Sequence, residues 1–195
     1  MAAWQASGGN ENFLCLWDAC MSSSTRALSS ASAQAPRHLI RDHCAAVKAL
    51  AWCPWQRGVL ASGGGTADRT IRIWNAASGA CLRAEDTGSQ VCSIQWSDKT
   101  KELVSSHGFS DNQIILWKYS TMTKVLPALP LVRRFVGSGA TYCVVLCCVV
   151  LQVKEFRGHT SRVLHMAKSP DGNSICTASA DETLRFWDMW GSETG

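Results

Sequence analysis

Two sets of residues in this chain have the makings of a hydrolytic triad with an aromatic neighbour. His43, Ser62, Asp68 and Trp74 form the first, and His159, Thr177, Asp181 and Trp187 the second. A hydroxyl activated by an imidazole that a carboxylate orients is the arrangement for nucleophilic acyl transfer. A catalytic site needs one copy at one place, whereas this set recurs along the chain. The residue types therefore point to construction rather than turnover. The ten cysteines are the other candidates for chemistry. No Cys-x-x-Cys pair occurs, and Cys15, Cys53, Cys92 and Cys176 sit inside strand-like phrases. The cluster of Cys143, Cys147 and Cys148 lacks ligand spacing and a supporting histidine. Buried thiols of a reducing compartment are expected, with no metal and no cofactor.

The elements that must position these residues are four similar strand phrases, each closed by tryptophan. They are Phe13-Leu14-Cys15-Leu16-Trp17, Ile71-Arg72-Ile73-Trp74, Ile114-Ile115-Leu116-Trp117 and Leu184-Arg185-Phe186-Trp187. An acidic residue stands six positions before each tryptophan (Glu11, Asp68, Asp111, Asp181), and a small hydroxyl residue precedes each turn (Ser7, Ser62, Ser105, Thr177). Period two puts Ile71 and Ile73 on one face of their strand and Trp74 on the other. Such β-branched and aromatic residues suit a sheet packed on both sides. The tryptophans are 57, 43 and 70 residues apart, and the middle spacing matches the roughly 40–45 residues of a four-stranded propeller blade. This is the pattern of WD repeats. In such repeats the four residue types resemble a buried hydrogen-bond chain from indole to hydroxyl to imidazole to carboxylate, which stiffens a blade when every member is satisfied. The blade ending at Trp117 has Thr87 where the histidine belongs, and the first has Glu11 for aspartate, so both are expected to be weaker.

The period also sets the organisation. Residues 1–18 read as half a blade, 19–40 as a Ser/Ala-rich loop, 41–84 and 85–125 as full blades, 154–190 as another, and 191–195 as a tail. Residues 126–153 break the rhythm, and without these 28 the last spacing falls to 42. This insert holds the uncharged run Tyr142 to Leu151, an aggregation hazard where exposed. Ten apolar residues are too few for a membrane span, which takes about 20. With 46% hydrophobic and 17% charged residues the composition is globular, and a dispersed net charge of +4 gives no case for nucleic acid. Met1-Ala2-Ala3-Trp4-Gln5 has no basic region leading into an apolar run, so no secretory signal is expected there.

Four segments go beyond the period. They are Ala45-Ala46-Val47-Lys48-Ala49-Leu50-Ala51-Trp52-Cys53-Pro54-Trp55-Gln56, Gly63 to Asn75, Ser89-Gln90-Val91-Cys92-Ser93-Ile94 and Gly158-His159-Thr160-Ser161-Arg162-Val163-Leu164. In these the chain resembles the fizzy and fizzy-related family, the cell-division-cycle activators of the anaphase-promoting complex. The resemblance implies an all-β partial WD-repeat β-propeller, about three and a half blades of a seven-bladed parent, with an irregular apolar insert. It implies no enzymatic chemistry, but an adaptor that presents degrons to a ubiquitin ligase in cell-cycle proteolysis. The implied partners are subunits of that complex, degron-bearing substrates and spindle-checkpoint proteins, without nucleic acid or membrane, in cytoplasm and nucleus.

By the same resemblance, a top-face pocket for a Lys-Glu-Asn degron maps onto Asn10, Asn12, Thr66, Gln90 and Arg162. Amides and a hydroxyl supply donors and acceptors for a peptide, and the guanidinium suits a Glu carboxylate. Each of the five sits in a loop at the same point of its repeat, so stacking should gather them on one rim. The family's ligase-docking box, its Ile-Arg tail and the first blades framing its destruction-box groove have no counterpart in these residues. The alternatives are a non-activating isoform or competitor that binds degrons or checkpoint partners without the ligase, or a generic WD scaffold.

Overall fold

The computed structural model of the chain describes residues 4–18, 35–108, 112–120, 123–124 and 155–190. The expectations for the Ser/Ala segment up to residue 34, for Asp111, for the insert 126–153 with its cysteines and for the tail lie outside them. The described residues form four antiparallel sheets. The first runs β1 (Trp4–Gly8), β2 (Leu14–Asp18), β3 (His38–Ile40). The second runs β4 (Val47–Trp52), β5 (Val59–Gly64), β6 (Thr70–Asn75), β7 (Cys81–Asp86). The third has β8 (Val91–Trp96), β9 (Glu102–His107) and β10 (Ile114–Lys118), with β11 (Thr123–Lys124) and β12 (Glu155–Phe156) both on the outer side of β10. The fourth is β13 (Val163–Lys168), β14 (Ser174–Ser179), β15 (Leu184–Asp188).

Successive sheets stack face to face, which is why the Trp-ended strands are apolar on both sides. Ile71 and Ile73 point toward the third sheet, into a cluster with Val91, Ile94, Leu103, Ile115 and Trp117. Trp74, on the opposite face of the same strand, joins Leu14, Leu16 and Leu60 against the first sheet. Trp55, Trp96 and Tyr119 meet edge to face, with ring centroids 5.1–5.4 Å apart. Trp96 Nε1 donates to the Ala51 carbonyl across the gap at 3.0 Å. The approach is close enough that a Cβ on Gly63 would lie 2.5 Å from Val91 Cγ1. Gly8, at the same register in the first sheet, would meet Val47 Cγ1 at 2.7 Å.

The blade limits differ from those expected at three points. His38–Ile40 lie in the stretch expected to be loop, yet they pair with Leu14–Leu16 as an outer strand. Three residues following Pro36 are too few to show a period, and only the partner strand defines them. Glu85 and Asp86 still belong to β7 rather than to the next repeat. Glu155 and Phe156 pair with Ile115 and Ile114, so they complete the third sheet instead of opening the fourth.

That last pairing relocates the insert, which was expected between blades. Lys124 pairs with Trp117, and Glu155 with Ile115, along one edge of β10. The 28 extra residues are thus interposed within a single outer strand. In the second sheet the corresponding strand carries a bulge: Cys81 pairs with Trp74 and Arg83 with Ile73, leaving Leu82 extra. Deleting 126–153 would leave Val125 and Lys154 to span the position opposite Leu116, the same two-for-one arrangement.

Two outcomes follow. The deletion variant should keep the wild-type far-UV circular dichroism of a β protein and stay soluble at higher concentration, because the apolar run is gone. Loss of the sheet signal would show the insert to be structural. Gly63→Val should lower the urea midpoint by about 1–3 kcal/mol in stability, the range for overpacking a tight interface. An unchanged midpoint would mean that the sheets can separate at no cost.

Candidate functional site

The triad-like sets are buried hydrogen-bond chains. Trp74 Nε1 donates to Ser62 Oγ at 2.7 Å, and Ser62 lies 2.6 Å from His43 Nε2. The opposite ring nitrogen, Nδ1, bonds Asp68 Oδ2. Thr70 donates to the second oxygen of that carboxylate at 2.8 Å. The fourth sheet repeats this, with Trp187 to Thr177 at 2.8 Å, Thr177 to His159 at 2.8 Å and His159 to Asp181 at 3.0 Å. Ser62 and Thr177 are fully buried, and each hydroxyl is engaged by an indole and an imidazole. Neither is presented to a substrate.

The third sheet corrects the expectation that its chain lacks a histidine. His107 Nε2 lies 2.7 Å from Ser105 Oγ, which accepts from Trp117 Nε1 at 2.7 Å. The imidazole comes from two residues along the same strand instead of from the preceding loop. Thr87, expected in its stead, has its hydroxyl 2.8 Å from both the Arg69 and the Ser89 carbonyl, to either of which its one proton can be given, and braces that loop. In the first sheet Trp17 donates to Ser7 at 3.1 Å, and Glu11 is exposed.

Burial holds the His43 imidazole below its ordinary value of 6.5, against the opposing pull of Asp68. The unfolded chain therefore takes up this proton first as the pH falls. The contribution of neutral His43 to stability is complete above pH 6.5 and is lost progressively below it. Urea midpoints should accordingly drop between about pH 7.5 and about pH 5, and drop less in His43→Gln. Parallel slopes for the two proteins would remove this role. At Asp181 the bond from the Thr183 hydroxyl comes first among the causes that hold its carboxyl well below the usual range.

The residues expected to bind a degron come from two kinds of loop, not one. Asn10, Asn12 and Thr66 lie in turns between the second and third strands of a repeat, whereas Gln90 and Arg162 immediately precede the inner strands β8 and β13. Both kinds open at the same end of the stack. Backbone bonds tie them together: Val47 N donates to Gly9 O at 3.0 Å, Gly108 N to Gln90 O at 3.0 Å and Ala180 N to Arg162 O at 3.1 Å. The turns share a left-handed residue just after the acidic position, with φ of 63° at Asn12, 57° at Arg69, 48° at Asn112 and 63° at Glu182. Asn12 Nδ2 donates to the Cys44 carbonyl at 3.4 Å, bridging to the next repeat.

Asn10, Gln90 and Arg162, from three sheets, line one cavity of about 490 Å³. Asn12 and Thr66 are not among its lining residues. Gly108 lets two of the three converge, because a Cβ there would stand 3.1 Å from Gln90 Oε1 and 3.3 Å from Arg162 Cβ. The cavity has a further set of lining residues that sequence reasoning missed. Strands β4, β8 and β13 each carry a register shift just after their first residue, between Val47 and Ala49, Val91 and Ser93, and Val163 and His165. The extra residues are Lys48, Cys92 and Leu164, and all three line the cavity. A bulge turns a side chain out of the ladder in this way. The signal was present as the spacing Val47…Leu50, Val91…Ile94 and Val163…Met166, where apolar residues stand three apart instead of two. Burial pushes the Cys92 thiol up, opposed by Lys48 and Arg162. Among the described residues no group of three or more His, Cys, Asp or Glu side chains is arranged to hold a metal.

Residues 34–75, 79–118 and 151–188 match the family described as WD domain, G-beta repeat. The chain is 47% identical over 188 residues to "Anaphase-promoting complex subunit cdc20" of Dictyostelium discoideum, covering 96% of this chain and 30% of that protein. It is 46% identical over 186 residues to "Cell division cycle 20.1, cofactor of APC complex" of Arabidopsis thaliana, covering 95% of this chain and 33% of that one. "WD repeat-containing protein srw1" of Schizosaccharomyces pombe is 41% identical over 189 residues, 97% of this chain and 27% of that one. The chain thus spans about a third of the length of these curated relatives. A chain in a crystal structure of the mitotic checkpoint complex superposes with a TM-score of 0.72 at 39% identity, covering 96% of this chain and 46% of that one. Three matched repeats, four stacked antiparallel sheets and an indole-to-hydroxyl bond inside each of them make this chain a member of the WD-repeat family, built as part of a β-propeller.

Proposed function

We propose that this chain is the degron-recognising part of an activator of the anaphase-promoting complex, an adaptor in cell-cycle ubiquitin-dependent proteolysis without catalytic chemistry of its own. The observation that carries the reading is the convergence of Asn10, Gln90 and Arg162 from three separate sheets on one rim cavity. Side-chain amides and a guanidinium, with no carboxylate among the described lining residues, suit a peptide bearing a glutamate and an asparagine. Names carried by relatives at 43–47% identity support the same role, as cofactor or subunit of that complex. Its partners are then the subunits of the complex, substrates with a Lys-Glu-Asn motif and spindle-checkpoint proteins, met in cytoplasm and nucleus.

Titrating a Lys-Glu-Asn peptide into the folded chain tests this. Binding should be measurable in the wild type and weaker by about 1.5–3 kcal/mol in Arg162→Ala, the worth of a hydrogen-bonded charged group. Absence of binding, or equal binding by both proteins, would leave a WD scaffold with another partner.

A further inference from the structure

The set of bulged residues has a charge pattern that the tripeptide reading does not use. Lys48 stands on β4, Cys92 on β8, and Arg162 at the entry to β13, so the two cations flank the thiol from neighbouring sheets. Lys48, Cys92 and Arg162 all line the one cavity, and both cations act electrostatically on the Cys92 thiol. His165 adds an imidazole to the wall, and among the described residues no Asp or Glu lines it. Lys48 is exposed, and the bulge that turns it inward recurs at the same register in all three inner strands. A carboxylate held by Arg162 accounts for one cation and leaves the second facing the bound peptide.

We infer that Lys48 is a further ligand-recognising residue, and that the cavity selects acidic peptides carrying a second carboxylate next to the motif. This rests on the degron reading above. A peptide lying across Cys92 passes between two positive groups from different sheets. One acidic side chain can be taken by Arg162 while an acidic neighbour is taken by Lys48. The contact is exposed to solvent, so its worth is modest and screened by salt. Its effect is selection among peptides more than affinity for all of them.

The experiment compares two peptides with a Lys-Glu-Asn core, one flanked by alanines and one by aspartates on both sides, on the wild-type chain, Lys48→Gln and Arg162→Ala. Circular dichroism of each variant guards against loss of fold. For the wild type the acidic peptide should bind roughly two- to five-fold more tightly, the range open to an exposed ion pair. The ratio should fall toward one at about 0.5 M salt. In Lys48→Gln the ratio should be close to one at low salt, because the acidic peptide loses more than the alanine-flanked one, whereas Arg162→Ala should weaken both peptides together. If the alanine-flanked peptide binds but the wild-type ratio is one, or if Lys48→Gln preserves the ratio, the Lys48 assignment falls and the degron reading stands. If neither peptide binds the folded chain, both fall.

Discussion

An indole N–H sealed between two sheets must find an acceptor, and much of this structure is arranged around meeting that need. Left unmade, such a bond costs about 1–3 kcal/mol. In every sheet the acceptor is a hydroxyl on the adjacent strand: Ser7, Ser62, Ser105 or Thr177. A buried hydroxyl that accepts from indole still has its own proton to place, and in the second, third and fourth sheets an imidazole nitrogen receives it. In the second and fourth that ring passes the demand to a carboxylate in the turn at the rim. The turn beyond Asp68 and Asp181 then bends through a left-handed residue. The shape of the rim is in this sense dictated from the middle of the stack, one hydrogen bond at a time. A network of this kind is stiff because each member is fixed by two neighbours.

What the sequence made legible follows from the same logic. Period and residue type sufficed for the Trp-ended strands, because a sheet buried on both faces draws apolar residues to both faces of the strand, Arg72 and Arg185 being the exceptions. The hydroxyl and acidic positions were visible because they sit at nearly constant distances from tryptophan. His107 was hidden because its imidazole arrives from within β9, where no offset from the other repeats predicts a histidine. His38–Ile40 and Glu155–Phe156 were hidden because strands of two or three residues have no period, and only the ladder they complete defines them. Of the five rim residues assigned by resemblance, Asn10, Gln90 and Arg162 share one cavity, while Asn12 and Thr66 lie in turns between strands and are not among its lining residues. Two different loop types supply them, a distinction that spacing alone does not carry.

The bulges explain why a cavity forms where it does. An uninterrupted inner strand would alternate its side chains between the two neighbouring sheets, leaving none for the space in the middle. One extra residue per strand breaks the alternation, and the side chain released is Lys48, Cys92 or Leu164. Because the interruption falls just after a buried valine in each case, the three side chains share a level of the stack. The repeat can therefore vary the chemistry of that level, from cation to thiol to alkyl, without disturbing the buried residues on either side. Packing demands and recognition demands fall on different residues of the same strand.

The same separation governs the interrupted outer strand. In the third sheet the order from the cavity outward is β8, β9, β10, then β11 and β12 side by side. The cavity is lined from β8, at one edge, while the insertion point between Lys124 and Glu155 lies at the other. Two central strands stand between them, with the Trp117–Ser105–His107 chain inside. Outer strands carry the least of the inter-sheet core: Ile114, Ile115 and Leu116 of β10 and Leu103 and Val104 of β9 supply the buried apolar groups of this sheet's far half. The closure entropy of a loop grows only slowly with its length, so added chain at such an edge costs the sheet little. The sheet tolerates the interruption because its cavity does not draw on the strand that is split, and among the described residues its core draws on that strand only through Phe156, which packs against Trp187.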